Sequence, residues 1–373
     1  MNPQKIVKVK KIGIRPTVDI EVDSGNHIFY GNGIATSNSH GISYAINAYL
    51  SAYAKAHFPK IFFASYLRFA KDKIDPQDEI KALVQNANEM DITVHTPDIR
   101  HLNEFFILKN NKIYFGLTDI KGVGKSVFDK IVAISQNLNL NEMSWLQYLF
   151  LILNNINSTA AKALIQSGSL NFLPMTRNRM LFEYNLISSL TKKECENISS
   201  NIDKIKDLKQ GLELLFTMPR VNKNRKASIE DSIRSLLNPP YALEDSPEWI
   251  ADNEDTLLGC AITCSRVDMY DISMTNTTCR DFKNGVQKDN IIIGGEIAFI
   301  SVVKTKTGKD KGSDMCFVNL TDQTGCIDSV IFFPEKYKTY KNILFEGNVI
   351  IISGNRSKSR DSLVVEKAYI AKT

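Results

Sequence analysis

An asparagine and a serine stand side by side at Asn38-Ser39, at the end of the short run GIATSNS, and an aspartate and a histidine precede them at Asp19 and His27. An asparagine side-chain amide can attack its own backbone carbonyl, close a succinimide and release the chain that follows. A hydroxyl next in sequence can take up an acyl group from an incoming ester and hold it until the asparagine cyclises. That carbonyl needs hydrogen-bond donors around it. His27 titrates near neutral pH and can act as acid or base, and Asp19 can shuttle or orient a proton. A simpler reading makes residues 1–38 a β-hairpin whose Asn38 or Ser39 caps the next helix.

A second constellation is Lys121-Gly122-Val123-Gly124-Lys125-Ser126. Two glycines permit a tight turn, and the backbone N–H groups that open the next helix can hold a phosphate oxygen without reading base sequence. Lys121 and Lys125 add counterion release. A nucleotide-binding P-loop shares the Gly124-Lys125-Ser126 ending, but its first glycine would fall on Asp119. Further along, Lys304, Lys306, Lys309 and Lys311 share one glycine-containing loop, with Phe317, Phe332 and Phe333 downstream as candidates for base stacking. Strand alternation sends at least two of these rings into packing. Gln210, Leu214, Leu215 and Phe216 form a glutamine-leucine-phenylalanine tract that an amphipathic helix end explains equally well.

These residues need elements to position them. Residues 1–38 alternate in the manner of strands, with IVKVKKI, TVDIEV and two short runs about Asn32-Gly33. Residues 39–100 carry helical periodicity broken at Pro59, and FFILKNNKIYFGL reads as a hairpin turning at Asn110-Asn111. Helices follow to about residue 216, and then a polar linker flanking one short helix to 245. From 290 onward five strands, with a short helix between the third and fourth, predict a small barrel of the OB type rather than a sandwich.

Composition sets the bounds. At 373 residues the chain is long enough for two to four domains, and its net charge of +5 permits nucleic-acid binding without requiring it. The six cysteines lack the paired spacing of a zinc site, so no metal is expected and the thiols read as reduced core residues. No apolar run is long enough to span a membrane and no secretory signal precedes the chain, so a cytoplasmic location is expected.

Residues 1–38 resemble the C-terminal fragment of a split intein: VDIEV and NHIFYGNGIATSN match that family's blocks, with Asp19, His27, Asn38 and Ser39 on the aspartate, histidine, cyclising asparagine and first extein nucleophile. Ser37 stands where most members carry histidine. A chain beginning at Met1 holds only the C-terminal half, so the resemblance implies splicing in trans with an N-terminal intein and polymerase fragment. From residue 39 the chain resembles the C-terminal part of bacterial DNA polymerase III alpha subunits. SHGISYAINAYLSAYAKAHFPKIFFASYL is similar to the end of their fingers region, KIYFGLTDIKGVGKSVFDKIVAI to their helix-hairpin-helix, NSTAAKALIQSGSLNFL to the segment that follows it, and LTDQTGCIDSVIFFPEKY to their OB domain.

The resemblance implies a multidomain chain: a short all-β intein fragment (1–38), a helical fingers end (39–104), a β-hairpin and helix-hairpin-helix (105–175), a helical and linker region (176–287) and an OB-fold barrel (288–373). It implies DNA as a partner, and a sliding clamp through the 210–216 tract. The polymerase carboxylates and their Mg2+ belong to the N-terminal portion, so this chain alone is not expected to polymerise DNA and carries no cofactor. A bacterium or a phage-infected cell would be its setting. The rival reading is a stand-alone DNA-binding accessory protein whose β N-terminus is only structural.

Overall fold

The structure is a computed structural model and describes residues 28–31, 34–37, 40–218, 223–286, 289–306, 310–357 and 362–372. The chain divides into two units, 1–62 and 63–373. In the first, β1 (Ile28–Gly31) and β2 (Ile34–Ser37) pair antiparallel, Ile28 opposite Ser37 and Gly31 opposite Ile34. They lead to α1 (His40–His57). Ile46, Tyr49, Leu50, Tyr53 and His57 recur on α1 at i, i+3, i+4, i+7 and i+11, the spacing of a single helical stripe. Tyr53 lies 6.1 Å from Tyr49 and 4.2 Å from His57, ring centre to ring centre. The stripe is open to solvent: its four apolar members are 46% to 65% exposed.

Pro59 starts α2 (Pro59–Ala70), whose Phe63, Leu67 and Ala70 are buried at i, i+4 and i+7. Pro76 opens α3 (Pro76–Glu89) in the same way, burying Ile80, Leu83, Val84 and Ala87. A three-stranded sheet follows in the order β3 (Val94–His95), β5 (Lys112–Tyr114), β4 (Ile107–Lys109). The β4–β5 hairpin turns at Asn110 and Asn111, both left-handed at φ 51° and 64°, as the Asn-Asn pair predicts.

The helical body continues through α4 (Lys125–Ser135), α5 (Trp145–Gln147), which runs on as irregular helical turns to Asn155, α6 (Ser158–Gln166), α7 (Arg177–Ile187), α8 (Lys192–Ser200) and α9 (Leu208–Leu214). Where the sequence predicts a linker with one short helix, the structure places α10 (Lys223–Leu237), 15 residues long. Its polar composition hides the pattern, because only Ile229 and Leu236, two turns apart, are buried. α11 (Pro247–Leu258) completes the body, and the short α12 (Cys279–Lys283) buries Cys279 and Phe282 in the core of the barrel that follows.

The barrel comprises β6 (Ile291–Lys304), β7 (Asp314–Asp322), β8 (Gly325–Phe332), α13 (Pro334–Tyr340), β9 (Val349–Arg356) and β10 (Leu363–Ile370). It closes in the order β10-β8-β7-β6-β9, with the short helix between the third and fourth strands as predicted. Its core takes alternate residues from every strand, including Ile291, Ile293, Val318, Leu320, Val330, Ile350, Ile352 and Val365. The seam is short: among the described residues β8 and β10 pair in parallel only at Val330 with Leu363 and Ile331 with Val364.

Candidate nucleic-acid interface

The turn at residues 120–124 is built from two buried side chains and one obligatory glycine. Ile120 and Val123 are buried, and the Val123 amide donates to the Ile120 carbonyl at 3.0 Å. Between them Gly122 adopts φ +94°, which side-chain-bearing residues rarely take. A Cβ there would stand 3.4 Å from Thr159 Cγ2 and 3.9 Å from Ala163 Cβ, so α6 backs the turn. The Lys121 amide donates to the Leu257 carbonyl of α11 at 2.9 Å, fixing the other side.

Gly124 differs from the expectation that both glycines serve the turn. Its φ of −85° suits any residue, and a Cβ there would meet nothing within 4 Å. It precedes α4 as the N-cap, and glycine has no side chain to accept from the first amides. The neighbouring helices are capped otherwise: Ser144, Asn157, Thr176, Thr191, Asp207, Ser246 and Thr278 all accept from their own first turns. The Val127 and Phe128 amides turn back to the Gly124 carbonyl, which leaves the Lys125 and Ser126 amides facing outward without intrahelical partners. Partial positive charge and open space meet at one point, which suits an anionic oxygen.

Lys121 is exposed beside this turn. Lys125 is not a free cation: its Nζ lies 2.8 Å from Asp129 Oδ1 and 2.9 Å from Glu104 Oε2, and these carboxylates raise its pKa. Asp129 at i+4 is visible in the sequence; Glu104, 21 residues away, is not. Asp119, where a P-loop would need glycine, accepts from the Gly116 amide at 3.1 Å, and burial pushes its carboxyl up to about 6.

The frame under the hairpin is a buried ion pair that sequence reasoning missed. Arg177 and Glu254 meet at 2.7 Å with side chains 3% and 0% exposed. Arg177 also donates to the Gln166 carbonyl at the end of α6 and to Asn171 Oδ1. Glu254 accepts from the Ile262 and Thr263 amides at 2.6 and 2.7 Å and from the Thr263 hydroxyl. α6, which supports Gly122, is thereby tied to α7 and α11.

On the barrel, Lys304 ends β6, and Lys306 and Lys311 are exposed in the loop to β7; Lys309 lies outside the described residues. The loop neck is closed by Thr305 and Gly312, whose amides donate to the Ser313 and Thr305 carbonyls at 2.9 Å each. Of the three predicted stacking rings, Phe332 is fully buried in the core, Phe317 is half-buried and Phe333 is 46% exposed. Phe299, 53% exposed, joins the outer face of β6. A register shift between Ile297 and Phe299 turns it outward, and simple alternation does not foresee that shift.

The 210–216 tract is folded into α9 and the turn after it. Leu215 is fully buried, and the Gln210 side chain accepts from the Lys206 amide. In this arrangement the tract is not displayed as an extended peptide. Asp19, His27, Asn38 and Ser39 lie outside the described residues, and Ser37 ends β2. Among the described residues no three His, Cys, Asp or Glu side chains gather as a metal site, and no helix is long and apolar enough to cross a membrane.

Residues 91–180, from before β3 into α7, match the family model described as "Helix-hairpin-helix motif". The chain is 26% identical over 342 residues to DNA polymerase III subunit alpha of Borreliella burgdorferi, covering 90% of this chain and 28% of the relative. It is 26% identical over 328 residues to that of Aquifex aeolicus (85% and 24%), and 26% identical over 352 residues to that of Buchnera aphidicola (92% and 28%). It thus spans about a quarter of the length of the curated relatives it matches. With the hairpin turn and the closed five-stranded barrel, these likenesses make the chain homologous to the C-terminal part of the DNA polymerase III alpha subunit.

Proposed function

We propose that residues 39–373 are the C-terminal portion of a replicative DNA polymerase alpha subunit that holds DNA behind the catalytic portion, and that residues 1–38 join the two portions by protein splicing in trans. The observation that carries the DNA-binding reading is the outward pair of amides at Lys125 and Ser126, which opens α4 behind Gly124 inside the helix-hairpin-helix match. Such a site takes a phosphate oxygen and is indifferent to sequence, which is what a replicase requires of its duplex contact. The exposed lysines and rings of the barrel suit single-stranded template. The work belongs in the cytoplasm of a bacterium or a phage-infected cell.

One feature supports a larger assembly: the relatives are about four times longer than their match to this chain. The missing portion would carry the polymerase carboxylates and Mg2+. For splicing, the reading rests on the residue types at Asp19, His27, Asn38 and Ser39. The Ser39 hydroxyl would accept the N-terminal acyl group, and the Asn38 side-chain nitrogen would attack its own carbonyl to release the ligated product.

Two experiments test the two halves of the proposal. Gly124→Val crowds the open face of the helix start, so duplex affinity should fall by about 1–3 kcal/mol without any change in sequence preference. A folded variant that binds as tightly as the parent removes the hairpin from the DNA-binding role. For splicing, the chain is mixed with its N-terminal partner fragment and weighed by mass spectrometry. Ser39→Ala should block ligation yet allow slow release at Asn38, and Asn38→Ala should stop at a base-labile branched ester. A ligated product of normal mass from Asn38→Ala would sink the splicing reading.

A further inference from the structure

The β3-β5-β4 sheet presents two unlike faces. Ile113 and Val94 point inward, both buried, while the register places His95 beside Tyr114 and Lys112 opposite Lys109 on the other face. The left-handed Asn110-Asn111 turn fixes that register, so two like charges are held directly across a two-residue hairpin. This placement is unfavourable unless an anion joins them. Among the described residues, no carboxylate stands within 4 Å of either ammonium. Asp98 is engaged by Arg100, with Arg100 Nη2 at 2.6 Å, and lies 4.0 Å from His101 Nε2.

At the base of the lysine pair the Tyr114 ring stacks on His95 at 5.1 Å and takes the edge of His101 at 4.5 Å. The rings are spent on one another, so the face offers cations rather than a base-stacking platform. Burial, then Lys112, lowers the His95 pKa. Burial also lowers that of His101, with Lys109 and Arg100 acting in the same direction against Asp98.

We propose that Lys109 and Lys112, at the tip of the β4–β5 hairpin, form a second phosphate-binding point that grips the backbone of duplex DNA. The inference rests on the DNA-binding reading above and adds residues outside the 121–125 turn. The polyanion removes the repulsion across the hairpin, and neither lysine must break an ion pair to reach it, whereas Lys125 must.

The test is anisotropy of a labelled 20-base-pair duplex with the full chain over a series of potassium chloride concentrations. In Lys109→Ala/Lys112→Ala the slope of log affinity against log salt should shrink by about 0.9 for each phosphate relinquished, roughly 1.8 in all. Lys109→Arg/Lys112→Arg should keep the parent slope, and Lys192→Ala/Lys193→Ala on α8 should leave it unchanged. As an independent readout, the His95 and His101 pKa values, followed by NMR, should rise when duplex binds the parent and stay put in the alanine pair. An unchanged slope in the alanine pair, or a change seen only with single-stranded oligonucleotide, overturns the proposal. If Gly124→Val weakens duplex binding while the alanine pair does not, this inference fails alone; a parent that binds no duplex overturns both.

Discussion

Replacing Glu254 by Gln should be among the costliest isosteric changes in the chain. The substitution opens no cavity and keeps one carbonyl oxygen, but the carboxylate serves two sets of donors at once: Arg177 and the Thr263 hydroxyl on one oxygen, the Ile262 and Thr263 amides on the other. A carboxamide can accept at only one of these places and turns its NH2 toward donors at the other. The Arg177 guanidinium, 3% exposed, then loses its counter-charge, and an uncompensated buried charge costs about 3–5 kcal/mol. Both tryptophans, Trp145 and Trp249, lie in the helical body, so their fluorescence in urea reports that body and not the barrel. The Gln variant should unfold at lower urea with the slope unchanged. Arg177→Met/Glu254→Leu should be less damaged than the sum of its single variants, because removing both charges removes the orphan. Salt should matter little, since the pair is shielded from solvent. A loss under about 1 kcal/mol for Glu254→Gln, or strict additivity in the cycle, refutes the account of this node as a charge-compensated frame.

Other substitutions separate strain from function. Gly122→Ala should lose about 1–3 kcal/mol of stability because a side chain is forced into the left-handed region, while Gly124→Ala, with an ordinary φ and open space, should melt like the parent; equal Tm shifts in the two would contradict this. Asp119 holds its proton up to about 6 when folded, whereas the unfolded chain releases it near 4. Stability should therefore fall by about 2–3 kcal/mol as pH rises through that window, and Asp119→Asn should abolish that part of the pH dependence in urea titrations at pH 4.5 and 7.5. Lys304→Ala/Lys306→Ala/Lys311→Ala should reduce the salt slope for single-stranded oligonucleotide by about 0.7 per lysine, roughly 2 in all, with little effect on duplex.

The barrel could be read from the sequence because its strands alternate and its turns carry the residues that turns require; even the helix between the third and fourth strands announces itself through Pro334 and a polar run. The Asn110-Asn111 hairpin was legible for the same local reason. What escaped was long-range or nearly silent. Arg177 and Glu254 lie 77 positions apart, and each looks like an ordinary charge on a helix until the fold buries both. Lys125 reads as a free cation until Glu104 arrives from a distant turn. The register shift before Phe299 turns that ring outward, and α10 hides behind a polar stretch in which only two of fifteen residues are buried. Gly124 matches its motif, yet its use of open space rather than backbone freedom shows only in three dimensions.

The short seam of the barrel has a consequence for how the domain yields. β10 holds β8 through two residue pairs, whereas β6 pairs with β7 along eight positions. The cylinder can therefore open between β8 and β10 while β10 stays on β9 through seven residue pairs, and the β10 amides at that seam should exchange hydrogen sooner than those of β7. Once opened, β8 would offer a bare edge at Val330 and Ile331, a template onto which a second copy could add its own last strand. The weakest join in the cylinder is thus also the place where crowding or heating would turn single barrels into strand-exchanged pairs.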